Sequence, residues 1–314
     1  MLTRRHIRVK VLQSIYAFNH SAHQDLEKQE KFLLYSMDQM HDLYVLLLQL
    51  LVALRDHAEG HMIKSQQKHL ATSEEKDPSK NFINNRIFQL IDESPQLKEV
   101  ISNKKLNYWV QDNEYLAILF NELRGLDWYK EYLEEKSPDF KTDRAFVVRL
   151  FKEVIAPNEK VYEYIEDKRL TWLDDFPIVN TALVKVLSKI TEGNATEVLI
   201  PDLYKDVEDK DYALQLLRKV LLKETSLNEE IEGKTPNWDK ERIADIDMII
   251  LKMGISEFLH FPSIPVRATI NEYLEISKEY STPKSSIFIN GILDKLVKDY
   301  TSANKLNKIG RGLR

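Results

Sequence analysis

Ile264-Pro265-Val266-Arg267-Ala268-Thr269-Ile270-Asn271-Glu272-Tyr273-Leu274-Glu275-Ile276-Ser277-Lys278 is followed, after a break at Ser281-Thr282-Pro283, by Phe288-Ile289-Asn290-Gly291-Ile292-Leu293-Asp294-Lys295. In the first run Val266, Ile270, Tyr273, Leu274 and Ser277 recur at intervals of three and four, one stripe of a helix. In the second, Phe288, Ile289, Ile292, Leu293, Leu296 and Val297 do the same. Asn-Gly alone is a strong hairpin signal. Here the flanking apolar residues do not alternate, so the spacing predicts a helix running through Asn290-Gly291. Glycine inside a helix costs about 1 kcal/mol relative to alanine. Either another helix or a ligand backbone approaching closely would offset that cost.

Upstream, Thr235-Pro236-Asn237-Trp238-Asp239 reads as a helix start, with Thr235 or Asn237 as cap and Pro236 in the first turn. Ile243, Ile246, Ile250, Met253 and Phe258 follow on one face, and Pro262 ends the helix. At the other end of the chain, residues 3–19 carry Ile7, Val11, Ile15 and Phe18 at helical spacing, with Arg5 and Arg8 on the flank. Residues 25–59 form a second, long pattern through Leu43, Leu46, Leu47, Leu50, Leu51 and Leu54. Residues 62–80 are polar and read as an exposed linker. Residues 81–132 hold two further helical patterns, and Ser137-Pro138-Asp139 breaks the chain again. The one β-like run, residues 197–200, reads as extended loop. The expected fold is all-α.

An internal repeat runs at a constant offset of 66. Phe146 matches Tyr212, Val148 matches Leu214, Leu150 matches Leu216, Phe151 matches Leu217 and Val154 matches Val220. Further on, Ile165 matches Ile231, Trp172 matches Trp238 and Leu183-Val184 matches Ile249-Ile250. Each unit reads as helix, polar connection, Trp, helix.

The 314 residues include no cysteine, which excludes disulfides, thiolate metal sites and cysteine nucleophiles. Only 8 are glycine, and no phosphate loop, dinucleotide fingerprint or nucleophile elbow is present. His57 and His61 are four apart, but Glu59 does not directly follow the first histidine as zinc-protease chemistry requires. No metal, cofactor or catalytic residue is expected. Residues 44–54 are the most apolar run, yet they contain Gln49 and are too short to span a bilayer. With no secretory leader pattern, the expectation is a cytoplasmic protein without membrane contact. Net charge is −5, but residues 1–24 and 300–314 each carry +4, leaving −13 between them. A chain acidic in bulk and basic at its ends can still present a local anion site.

The two runs quoted first resemble the signature of the NusB family. Arg4-Arg5, Arg8, Gln13 and Ile15-Tyr16 are similar to that family's arginine-rich first helix. The resemblance covers residues 1–58 and 205–300. It implies NusB-like antiparallel helical bundles at residues 1–60 and 205–300, an inserted helical region at 61–204 and a basic tail at 301–314. It also implies a non-enzymatic role in transcription antitermination on ribosomal RNA operons. The partners implied are single-stranded boxA-type RNA, the ribosomal protein NusE and the antitermination complex of RNA polymerase. Self-association stays open, and so does a second reading as a protein–protein adaptor with weak or lost RNA binding.

RNA requires positive charge for phosphates and flat or hydrogen-bonding groups for unstacked bases. Arg4, Arg5 and Arg8 match the family's basic positions. The junction at residues 278–286 offers Lys278, Tyr280, Ser281, Lys284, Ser285 and Ser286 around a helix N-terminus, with Asn290 one turn further. Glu272, Glu275 and Glu279 form an acidic stripe, read as a solvated face or as a docking surface for a basic protein.

Overall fold

The computed structural model describes residues 1–234 and 243–313. Seventeen α-helices can be placed among them: α1 Arg4–Asn19, α2 Leu26–Gln66, α3 Ser73–Lys76, α4 Arg86–Asp92, α5 Pro95–Lys104, α6 Tyr108–Gln111, α7 Asn113–Gly125, α8 Asp127–Glu134, α9 Phe140–Leu150, α10 Glu159–Lys168, α11 Phe176–Lys189, α12 Ala195–Val198, α13 Glu208–Leu222, α14 Glu224–Glu232, α15 Asp245–His260, α16 Val266–Tyr280 and α17 Ser285–Ser302. No strand occurs among the described residues, so the all-α expectation holds.

The chain divides into two compact units, one made of Met1–Met37 with Leu203–Arg314 and the other of Asp38–Asp202. The division falls inside α2, which runs unbroken past residue 60 into the stretch read as a linker. By length and composition α2 could cross a bilayer, but 78% of its apolar window is buried inside the protein. It is a core helix.

In the first unit, α15 is the centre. Every residue from Ile249 to Phe258 is buried, as befits a helix enclosed on all sides. It packs against α1, α13, α14, α16 and α17. Gly254 makes this possible. A Cβ there would lie 3.0 Å from Leu293 Cδ2 on α17 and 3.6 Å from Tyr273 Cδ2 on α16. Gly291 has open space around its Cβ position and is exposed. Of the two ways to offset a helical glycine, close helix packing therefore applies at Gly254 and not at Gly291.

In the second unit, the α2 backbone takes two indole N–H donors: Trp109 to the Leu46 carbonyl at 2.8 Å and Trp172 to the Gln39 carbonyl at 2.7 Å. Residues 81–132 contain five helices, α4 to α8, not two. Ser94 caps α5 with Pro95 at its first position, Lys105 ends it in the left-handed region at φ 54°, and Leu126 leaves α7 in extended backbone. Each of these breaks subdivides an apolar pattern that reads as continuous. Residues 197–198, the first half of the run read as extended, lie in the short helix α12.

The matched helical residues described in both copies fall on corresponding helices, α9 and the π-helical turn Phe151–Ile155 with α13, α10 with α14 and α11 with α15. Burial follows the match: Leu150 and Leu216, Phe151 and Leu217, Val154 and Val220, Ile165 and Ile231, Leu183 and Ile249 are buried in both copies. Asp143 and Asp209, at the same offset, are both buried, and each anchors the start of another helix. Asp143 accepts the Arg86 backbone N–H that begins α4, while Asp209 accepts from the Arg4 side chain that begins α1. Trp238 and the helix start at residues 235–239 lie outside the described residues.

Candidate nucleic-acid interface

Thr3 caps α1 and makes a reciprocal box with His6: its hydroxyl accepts the His6 N–H, and His6 Nδ1 accepts the Thr3 N–H. The first turn contains no acid, so Arg4 and Arg5 stand at the positive end of the helix without local neutralisation. Their partners come from distant sequence. Arg4 Nε donates to Asp209 Oδ1 at 2.9 Å, and its guanidinium lies 4.5 Å from the centre of the Tyr212 ring. Arg5 donates from Nε and Nη2 to the two Glu272 oxygens at 2.9 and 3.0 Å. Arg4 keeps both Nη groups, and Arg5 keeps Nη1, without a protein acceptor among the described residues. Both side chains are partly exposed, 34% and 42%. They line an open cleft with Thr3, His6, Arg8, Ala268 and Glu272. Burial, and then the neighbouring Arg5 charge, hold the His6 imidazole below its usual pKa.

Arg8, expected from the sequence to contact RNA, is buried and ion-paired. It is 3% exposed and donates from Nε and Nη2 to Glu257 at 2.7 and 3.0 Å. Glu257 is fully buried and also accepts from Thr269 at 2.8 Å, Tyr273 at 3.0 Å and the Tyr212 hydroxyl. Burial works against charge on both groups. The mutual attraction outweighs it, raising the Arg8 pKa and lowering that of Glu257. Arg8 also lies 3.6 Å from Glu272. Glu257, Arg8, Glu272 and Arg5 thus form a ladder running from the core to the surface.

Glu272 is accordingly a half-buried partner of Arg5 and not part of a solvated stripe. Glu275 is exposed and paired with Lys278 at 2.6 Å, and Glu279 is exposed. At the α16–α17 junction the Ser281 and Ser285 hydroxyls both donate to Asp247, at 2.6 and 2.7 Å. An internal carboxylate therefore occupies these two serines, and Ser285 is buried, so neither is free for phosphate. Lys284 is exposed, Tyr280 and Ser286 are half-buried, and Asn290 donates to Asp294 at 3.2 Å. Tyr280 shares a cleft of about 360 Å³ with Tyr16, which is 42% exposed and stacked on His20 at 4.2 Å. Tyr16 entered the sequence reading only as a motif residue. His6, Asp209 and Glu257 had no signal beyond their types, and Tyr212 figured only as the repeat partner of Phe146. His57 and His61 pack edge-on against Phe120, and His61 Nε2 lies 3.4 Å from Arg124, a poor setting for a cation.

A profile of the NusB family matches residues 178–298. The Transcription antitermination protein NusB of Salinibacter ruber (strain DSM 13855 / M31) is 38% identical over 128 residues, which cover 39% of this chain and 79% of that protein. The chain belongs to the NusB family. The NusB protein of Chloroherpeton thalassium (strain ATCC 35110 / GB-78) is 34% identical over 40% of this chain and 58% of its own length. That of Clostridium kluyveri (strain ATCC 8527 / DSM 555 / NBRC 12016 / NCIMB 10680 / K1) is 44% identical over 29% and 58%. Each NusB match leaves more than half of this chain unmatched, in keeping with an extra region.

Gly291 supplies a test of what meets the NusB signature helix α17. With nothing within 4 Å of its Cβ position, Gly291→Ala is expected to stabilise the first unit by about 1 kcal/mol, a rise in melting temperature of ~2–4 °C. Gly254→Val, where the space is filled, is expected to destabilise it by about 1–3 kcal/mol. Thermal unfolding followed by circular dichroism separates the two. A loss of RNA affinity in the stabilised Gly291→Ala variant would mark close approach of the ligand at that face.

Proposed function

We propose that this protein is an RNA-binding transcription antitermination factor of ribosomal RNA operons, binding boxA-type single-stranded RNA together with the ribosomal protein NusE as part of the antitermination complex of RNA polymerase. The observation that carries the reading is the cleft at the start of α1. Two arginines are held there by carboxylates while keeping N–H groups directed to no protein acceptor among the described residues. A guanidinium fixed in this way meets a phosphate with less loss of side-chain freedom. The naming of the NusB relatives as antitermination proteins supports the same reading. In this reading Lys278, Tyr280, Lys284, Ser286 and Asn290 supply the second half of the surface, and Glu275 and Glu279 face the protein partner.

A second reading, a helical adaptor with weak RNA binding, is favoured by one observation. Residues 38–202 hold 21 Lys and Arg against 29 Asp and Glu, a poor surface for RNA and a suitable one for a basic protein.

Fluorescence anisotropy with a labelled boxA-type RNA, with and without NusE, across a salt series decides between them. The RNA reading expects preference over a scrambled sequence, and log K falling with log salt by roughly 0.7 per phosphate contacted. Absence of binding even with NusE present would leave the adaptor.

A further inference from the structure

The basic tail is a docked strap, not a free end. Helix α17 closes with Lys305 N–H donating to the Tyr300 carbonyl at 2.8 Å while Asn304 sits at φ 53°, a left-handed cap that reverses the chain. The strap then crosses the C-terminal end of α15. Lys308 Nζ donates to the carbonyls of Glu257 at 3.1 Å and Phe261 at 3.0 Å, and Ile309 N–H donates to the Pro262 carbonyl at 3.1 Å. Gly312 lies so close that a Cβ would fall 1.9 Å from the Pro262 oxygen, a backbone contact that no side chain fits. The last carbonyls of a helix carry its negative end, so an ammonium there satisfies both charge and hydrogen bonding. Partial burial nevertheless pushes the Lys308 pKa down to about 8, the attraction of Glu257 only partly opposing it.

The residue whose carbonyl Lys308 holds is Glu257, the buried foot of the ladder through Arg8 and Glu272 to Arg5. We propose that Lys308 is a positioning residue for the basic cleft: the C-terminal strap fixes the last turn of α15, and thereby the orientation of Arg8 and Arg5. The proposal rests on the RNA reading for its functional consequence but not for its structural one, so two measurements keep them apart.

The first is the Nε–H resonances of Arg5 and Arg8 in the full-length protein, free of RNA. Lys308→Met and Gly312→Val are each expected to broaden or shift both signals, whereas Lys308→Arg preserves them. Unchanged signals in Lys308→Met and Gly312→Val overturn the proposal. The second is RNA affinity across salt. Lys308→Met is expected to weaken binding about fivefold with the salt slope unchanged, since no phosphate contact is removed. A slope reduced by about 0.7 makes Lys308 a phosphate contact itself and overturns its positioning role. If Arg5→Ala weakens RNA while Lys308→Met does not, the strap proposal fails and the RNA reading stands. If the resonances shift as expected while neither variant alters RNA affinity, the assignment of RNA to this cleft fails and the structural role of the strap stands.

Discussion

Arg8→Ala is expected to destabilise the first unit by about 3–5 kcal/mol, the cost of leaving a buried carboxylate without its ionic partner. Glu257 would keep three hydroxyl donors, from Tyr212, Thr269 and Tyr273, but no countercharge among them. Burial, which alone favours the neutral acid, would then prevail and raise the Glu257 pKa. The pH dependence follows with a definite sign. In the wild type Glu257 is held below its ordinary value of 4.5. Its contribution is therefore present above the unfolded-state pKa and is lost as pH falls through the folded value. In the variant the folded value lies above the unfolded one, so Glu257 penalises the fold increasingly as pH rises through that window. The gap between the proteins should be widest near neutrality and narrow towards pH 4. Urea unfolding at pH 7 and pH 5 checks both size and trend. A loss below 1 kcal/mol at pH 7 would contradict the burial of this pair. Replacing both partners, as Arg8→Met with Glu257→Leu, should recover much of the loss, since an apolar pair of similar volume leaves no uncompensated charge.

Arg4→Ala combined with Arg5→Ala should act more on the ligand than on the fold. Both guanidiniums are partly exposed and sit at the rim of an open cleft. The half-exposed Arg5–Glu272 pair is worth roughly 0–1 kcal/mol, while Asp209 is buried and keeps only the Asp206 backbone N–H once Arg4 is lost, a cost of about 1–3 kcal/mol. If each arginine meets one phosphate, RNA affinity should fall by tenfold or more at moderate salt, and the salt slope should shrink by about 1.4. The double variant is thus a cleaner probe than one that also removes Arg8, whose loss would confuse unfolding with lost binding. Unchanged affinity in the double variant would move the RNA away from this end of α1.

The helices that frame the cleft were the most legible part of the sequence. Helices α16 and α17 each bury one face and leave the other in water, so their periodicity survives in the residue order, while α1 buries every residue from Ile7 to Leu12, Arg8 and Lys10 among them. Helix α15 is harder to read because it is enclosed, and polar residues such as Lys252, Ser256 and Glu257 occupy buried positions. Residues 81–132 are harder still, since short helices are set by turns such as Ser94-Pro95 and the left-handed Lys105, not by period. The arginines illustrate the limit for the site. Arg4, Arg5 and Arg8 look alike in sequence, and what separates them is Glu257, 249 positions away. Ser281 and Ser285 similarly invite an anion until Asp247, on another helix, is seen to supply one.

The ladder from Glu257 to Arg5 also has a temporal meaning. A ribosome delivers α1 before α15, the helix that receives it, with residues 38–202 in between. That middle stretch has its own buried core and emerges early. The arginine helix must wait, because its binding partners do not yet exist, and closing so long a loop is entropically slow. Synthesis that stops anywhere before residue 257 leaves Arg8 without its acceptor. A chain halted just after residue 202 holds the whole middle unit and an α1 whose acceptors Asp209, Glu257 and Glu272 are still to come. A protein of this order acquires its basic cleft only once α15 and α16 have followed the middle stretch.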